Sequence, residues 1–402
     1  MATSYVKLES AGELNRLMNE HYARAQAPAQ ARPVAWVSSG APVEILRALD
    51  IFPVYPENYA AMAATRGAEP LCAAAEGAGY SRDLCSYARI SLGAALLPPG
   101  LLPVQLAKPD LLLACNNICG TIVKWFAELG RIFNVPLFVL DTPFLADGPS
   151  PLTTSYVAGQ LEDLIRWLEV QTGRHLQAAR LAKTIELSNR AVALWREIRS
   201  YCRARPSPLN APDLFVHMAG IVVLRGTPEA VAYYERLRDE VAARVRSGIG
   251  AIPQERYRLL WDNIAIWPRL YRFFAPFAER GACFVVDTYT GGWDMEVEPG
   301  EPIESLARAY TGIFLNRDLR YRAARLQRLL GEFACDGLVM HNNRSCKPYS
   351  LGQSVIRRLV TEATGLPALF FEGDMGDVRM YAEEQTNTRI QAFLETLEEQ
   401  AR

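Results

Sequence analysis

The chain lacks several features that would settle its class at once. No apolar run approaches the roughly 18 residues that a membrane-spanning helix needs; the longest, such as Leu111–Ala114 and Leu137–Leu140, are strand-sized. Neither sign of charge is in excess: 43 Lys and Arg face 44 Asp and Glu, a formal net charge of -1. That removes the electrostatic case for nucleic acid or an anionic membrane surface. The stretch Met1–Glu9 has no basic start followed by an apolar core, so no secretory signal is read there. No G-x-x-x-x-G-K-[ST] loop is present, so ATP hydrolysis is not expected of this chain. No C-x-x-C pair occurs, which argues against a closed zinc site.

What is present is length and alternation. With 402 residues, 50% of them hydrophobic, the chain exceeds one ordinary core and is expected to form two or three domains. Strands are read at 33–38, 51–54, 111–114 and 135–140, with helices at 8–28, 42–49, 81–96 (Ser81 as its cap) and 121–133. Residues 151–275 change character: glycine thins out and 3.6-residue periodicity dominates over Leu161–Gln171, Ala178–Tyr201 and Pro228–Ser247. Alternation then returns, with strands at 283–286, 337–340 and 367–371 and helices at 323–333, 350–361 and 386–400. Strand–helix–strand alternation with apolar strands indicates parallel sheets covered by helices. The expected fold is α/β: two Rossmann-like parallel-sheet domains (1–150 and 276–402) separated by a largely helical segment (151–275). The two α/β segments echo each other, each with a strand, a cysteine-bearing polar turn, a helix and a strand introduced through proline.

Eight cysteines in a chain without a signal read as cytosolic thiols, so a cytoplasmic protein is expected, with metal binding or catalysis favoured over disulfides. Cys72, Cys202, Cys283 and Cys335 sit on apolar or helical segments and read as small core residues. Cys85, Cys119 and Cys346 are different, because their neighbours are charged or amide residues in turns: Arg82-Asp83-Leu84-Cys85, Asn116-Asn117-Ile118-Cys119 and Asn342-Asn343-Arg344-Ser345-Cys346. Ligands of open α/β sheets bind beyond the carboxyl ends of the strands, and a thiolate at a helix start is favoured by unpaired N–H groups. Three soft ligands from three distant turns suggest a [4Fe–4S] cluster with three protein ligands and one open iron. The competing account, isolated core thiols, stays open on spacing alone.

The stretches Gly79–Arg89, Cys115–Thr121, Phe138–Pro143, Asp336–Lys347 and Glu372–Asp374, with Thr388-Arg389, together resemble the 2-hydroxyacyl-CoA dehydratase and benzoyl-CoA reductase family along nearly the whole chain. Within it the chain looks most like the larger cluster-bearing subunit of ATP-dependent benzoyl-CoA reductase. The resemblance implies a [4Fe–4S] cluster held by Cys85, Cys119 and Cys346. Cys119 is preferred as the middle ligand because Lys124 follows five residues on, as in family members; Cys115 is the alternative. It also implies a related second cluster-bearing subunit, a separate ATP-hydrolysing activator that delivers low-potential electrons, and an aromatic or hydroxyacyl CoA thioester as substrate.

The expected reaction is reduction of benzoyl-CoA to a cyclic diene-CoA. The rivals are a subunit of an (R)-2-hydroxyacyl-CoA dehydratase that eliminates water through a ketyl radical, an electron-transfer or assembly subunit without its own substrate site, and a homodimeric relative with a larger cluster. His341 is the candidate proton donor, because an imidazole titrates near neutrality and lies in the Cys346 turn. Ser38, Glu57, Asn117 and Asn342 are the candidate substrate contacts. Asn116, Asn343, Asp374, Asp377 and Trp293 are further polar or aromatic residues at the expected cleft.

Overall fold

The computed structural model describes residues 8–26, 32–98 and 106–400. The N-terminal reading over residues 1–7 and the end of the first expected helix (27–28) lie outside them. Among the described residues, eight strands form two four-stranded sheets in which every pair is parallel. The first holds β1 (Val34–Val37), β2 (Phe52–Val54), β3 (Leu111–Cys115) and β4 (Leu137–Leu140) in the order β2-β1-β3-β4. The second holds β5 (Tyr257–Asp262), β6 (Ala282–Asp287), β7 (Gly337–Asn343) and β8 (Ala368–Gly373) in the order β6-β5-β7-β8. Counted within each sheet, the order is the same, so the echo in the sequence is a shared topology. β3 and β6 are buried at every residue, as parallel strands covered by helices on both faces must be.

One strand lies where the sequence reads as helical. β5 falls inside the 151–275 stretch, and Arg258 and Asp262 interrupt its apolar run. Both are nevertheless buried. The Arg258 guanidinium donates to the carbonyls of Cys202, Ala204 and Phe333 and pairs with Glu255, while Asp262 accepts from Thr288 and Gln353. Satisfied polar groups of this kind survive in a core but erase the sequence signal of a strand. The long helices Pro151–Thr172, Ala178–Ser200 and Pro228–Arg246 occupy the rest of the segment. No helix among the described residues is long and apolar enough to cross a membrane.

In each sheet the order reverses beside its first strand, between β1 and β3 and between β5 and β7, and loops diverge there to leave a crevice. A clasp brings the two domains together. Ser86 N–H donates to Ser345 Oγ across the domains at 3.1 Å, and Ser345 Oγ–H donates to the Asp374 carboxylate. Beside it, Arg89 of the N-terminal domain pairs with Asp377 of the C-terminal domain at 2.8 Å, both side chains fully buried. Arg89 also pairs with Glu76, which Arg379 shares. Gly376 allows the approach: a Cβ there would stand 3.0 Å from Ile90 Cδ1 and Ser86 Oγ.

Burial pushes the Asp377 carboxyl up, but hydrogen bonds from Arg379 and Arg89 outweigh it and hold the group at about 2. A depressed carboxyl pKa contributes stability above its unfolded value, and that contribution is lost as pH falls toward 2. Asp377→Ala should cost on the order of 1–3 kcal/mol by leaving the buried Arg89 with Glu76 as its one carboxylate partner, read as a lower urea midpoint at pH 7. The gap between variant and wild type should close as pH drops from 5 to 2.

Candidate active site between the two sheets

All three turn cysteines occupy the N-cap position of a helix. Cys85 caps Ser86–Leu96, Cys119 caps Gly120–Phe133 and Cys346 caps the single turn Lys347–Ser350. The helix expected from Ser81 therefore starts five residues later; Ser81 instead accepts the Asp83 N–H in the preceding turn. Cys119 is extended (φ -159°) and its Sγ accepts Thr121 N–H at 3.3 Å. The helix behind it buries Ile122, Trp125, Phe126 and Leu129, an i, i+3, i+4, i+7 stripe that fixes its direction.

The three cysteines line one cavity of about 860 Å³ between the domains, within the usual range for small-molecule sites. The loops at both sheet reversals supply its floor: Ser39 and Gly40 after β1, Cys119 after β3, Ile264 after β5 and Cys346 after β7. Burial pushes the Cys85 thiol well above its usual range, with the nearby Cys346 and Cys119 charges adding to the effect. Burial and Cys119 likewise raise Cys346 to about 12. These thiols are therefore close enough to disfavour one another's ionisation, which a cationic group among them would reverse.

Cys115 does not line this cavity. It ends β3 fully buried in the core, its N–H donates to Ser38 Oγ at 3.0 Å, and burial raises its thiol to about 12. Ser38 is thus a strand-end acceptor rather than a cavity residue. Asn117 lies buried behind the loop, donating to the carbonyls of Gly40 and Tyr310 at 2.9 and 2.7 Å. Gly40 is required there, since a Cβ would come 2.5 Å from Asn117 Oδ1. Asn342 belongs to β7, facing Glu372 of β8, and does not reach the cavity.

His341, expected as proton donor, also lies away from the cavity. It is fully buried in β7, bonds the Ile264 carbonyl through Nδ1 at 2.9 Å and stacks on Phe371. Burial lowers its pKa to about 4, so it stays neutral. Asn116 bonds Asp141 and Thr142, and Asp374 and Asp377 belong to the clasp.

Two of the expected residues do face the cavity: Glu57 and Trp293. The Glu57 carboxylate accepts Ser39 N–H; burial raises its pKa, and that hydrogen bond partly offsets the rise. Trp293 donates to the Ser39 carbonyl at 3.2 Å.

Sequence reasoning missed a polar row and a whole wall. Trp267 Nε1–H donates to Tyr87 Oη, and the Tyr87 hydroxyl faces that of Tyr289, all three lining the cavity beside Cys85 and Cys346. The helix Ala211–His217, from the middle segment, supplies Asp213, Phe215 and His217. Tyr87 sits two residues from Cys85 and offered a local signal. Tyr289, Trp267 and His217 offered none, because only the fold brings them near the cysteine turns.

Two like-ordered parallel sheets thus border one cavity that carries three cysteine thiols. The family described as 2-hydroxyglutaryl-CoA dehydratase, D-component, matches residues 38–397, and the chain belongs to this family. It is 35% identical over 399 residues to the (R)-2-hydroxyisocaproyl-CoA dehydratase alpha subunit of Clostridioides difficile, covering 98% of this chain and 97% of that one. It is 33% identical to the lactoyl-CoA dehydratase subunit alpha of Anaerotignum propionicum, covering 93% and 92%. A benzoyl-CoA reductase subunit of Thauera aromatica is 30% identical, covering 81% and 79%.

Iodoacetamide applied to the native, cofactor-free chain should label Cys85 and Cys119, the two half-buried thiols, before the six buried cysteines; peptide mass spectrometry reads this out. Because Cys346 is held near 12, its labelling rate should rise about tenfold per pH unit between 8 and 10.

Proposed function

We propose that the chain is the alpha-type subunit of an (R)-2-hydroxyacyl-CoA dehydratase, holding a [4Fe–4S] cluster on Cys85, Cys119 and Cys346. The observation that carries this reading is the convergence of three cysteine-capped helix starts, from both domains, on one largely apolar cavity. Three separate thiols on one wall suit a polynuclear group that needs three soft ligands and presents its fourth side to the cavity. When bound, the cluster would supply single low-potential electrons to the thioester.

The chain's own residues do the rest. The apolar lining excludes water around the thioester. Glu57 is buried, holds its proton more readily than an exposed carboxyl, and stands where the substrate's hydroxyl or its departing proton can be handled. The Tyr289 hydroxyl, backed by Tyr87 and Trp267, offers a donor to the thioester oxygen on the cysteine side.

The near full-length similarity to two hydroxyacyl-CoA dehydratase alpha subunits supports the lyase reading over ring reduction. Reduction of benzoyl-CoA stands second, favoured by the aromatic wall of Phe215, Trp267, Tyr289 and Trp293, which suits a flat acyl ring. The cavity argues against a carrier of electrons without a substrate. A related second subunit and an ATP-hydrolysing activator complete the proposed assembly.

Reconstituted anaerobically with partner, activator and ATP, the complex should convert a 2-hydroxyacyl-CoA to the enoyl-CoA with no net use of reductant. Formation of a cyclic diene-CoA from benzoyl-CoA, with no turnover of any hydroxyacyl-CoA, would sink the lyase reading. Iron and sulfide analysis should show loss of the cluster in Cys85→Ser, Cys119→Ser and Cys346→Ser and its retention in Cys115→Ser. Glu57→Gln should lower kcat by about a hundredfold or more with iron content unchanged.

A further inference from the structure

His217 is the cavity residue with no counterpart in the cysteine turns. It is 2% exposed, ends the helix Ala211–His217 and lines the cavity one helical turn beyond Asp213, which lines it too. Its position is fixed twice: Tyr234 Oη donates to its carbonyl at 2.9 Å, and its Nδ1 meets the Tyr233 hydroxyl. Burial lowers its pKa to about 3, so the ring is neutral and carries one proton. Burial also holds the Tyr233 phenol protonated. A protonated phenol against Nδ1 donates to it, and the ring proton is then on Nε2. Nε2 has no protein partner among the described residues and is not sealed in the core, so it opens on the cavity.

The surroundings narrow what such a donor can meet. This stretch of wall is otherwise apolar, with Phe215, Met218 and Val222 on one side and Leu14 and Met18 on the other. A neutral N–H in an apolar passage suits an uncharged acceptor and rejects a phosphate. Resting on the thioester reading above, we propose that His217 and Asp213 form a subsite for an amide of the pantetheine arm. His217 Nε2–H donates to the amide carbonyl, and the Asp213 carboxylate faces the amide N–H. The passage leads from the cysteines to Thr65 and Arg66, which are exposed at its rim, where the charged nucleotide end would stay in water. His217 would act as a binding residue, not as an acid or base.

The test is binding of free CoA and of an S-ethyl acyl thioester, which has no amide arm, to the full chain. Quenching of Trp267 and Trp293 fluorescence in the cavity gives the readout. His217→Leu should weaken CoA about tenfold, the loss expected for one hydrogen bond. His217→Gln, which restores an N–H near the Nε2 position, should stay within about threefold of wild type, and the S-ethyl thioester should bind all three proteins alike. Should His217→Leu fail to fold, Tyr233→Phe serves instead: freeing Nδ1 to take the proton should weaken CoA several-fold and leave the short thioester unaffected. Unchanged CoA affinity in the variant, or equal loss for both ligands, overturns the subsite alone. Failure of the wild-type chain to bind CoA overturns the thioester reading and the subsite with it.

Discussion

The site depends on the contact between Ser86 and Ser345. Each serine adjoins a cysteine, Ser86 following Cys85 and Ser345 preceding Cys346, and the two meet across the domain boundary. Asp374 takes the Ser345 proton, and the buried Arg89–Asp377 pair stands one helical turn away. A buried ion pair contributes little net stability when intact, because desolvation offsets attraction. Its effect here is on geometry. Breaking it strands a charge, so the relative placement of the two domains that keeps Arg89 on Asp377 and Ser345 on Asp374 is favoured. That placement brings Cys346 of one sheet to Cys85 of the other domain.

The cysteine geometry then follows from helix starts. A thiol at an N-cap faces backbone N–H groups that have no partner within the helix, and Thr121 N–H on Cys119 shows the arrangement directly. Those N–H groups favour the anion, while the apolar cavity and the neighbouring thiols disfavour it. For Cys85 and Cys346 the second effect wins, since burial heads the causes of both upward shifts. The protein by itself therefore leaves the Cys85 and Cys346 thiolates under-compensated.

Much of the fold was legible because parallel strands advertise themselves. Leu111–Cys115 is apolar throughout and Ala282–Asp287 is apolar up to its closing aspartate, and their boundaries fall where polar turns begin. β5 was illegible because Arg258 and Asp262 find buried partners from 50 or more residues away, information that no local window holds. The same distinction governs the site. The cysteine turns carry local polarity that marks them as unlike core thiols. His341 carried a plausible chemistry and a nearby cysteine, yet strand alternation turned its ring toward Phe371 and Ile264 and away from the cavity. Ser38 and Asn117 were chosen from the right loops, but each is consumed in holding its loop: Ser38 accepts from Cys115 N–H, and Asn117 bridges Gly40 and Tyr310.

The shared strand order raises the question of why the two halves do not serve alike. Both place a cysteine-bearing loop after their third strand, so a symmetrical pair of sheets alone would give Cys119 and Cys346. Cys85 breaks the symmetry. It caps a helix between β2 and β3, and the corresponding stretch of the second domain brings no thiol to the cavity, only the segments around Tyr289 and Trp293 and around Phe314. The trio is thus two thiols from duplicated positions and one from an unduplicated position. The wall that faces the third thiol is aromatic, with Tyr289 beside Cys346 and Tyr87 beside Cys85. The helix Ala211–His217 of the middle segment then closes the far side with Phe215 and His217. Duplication accounts for the floor, and the departures from it give the cavity a thiol side and an aromatic side.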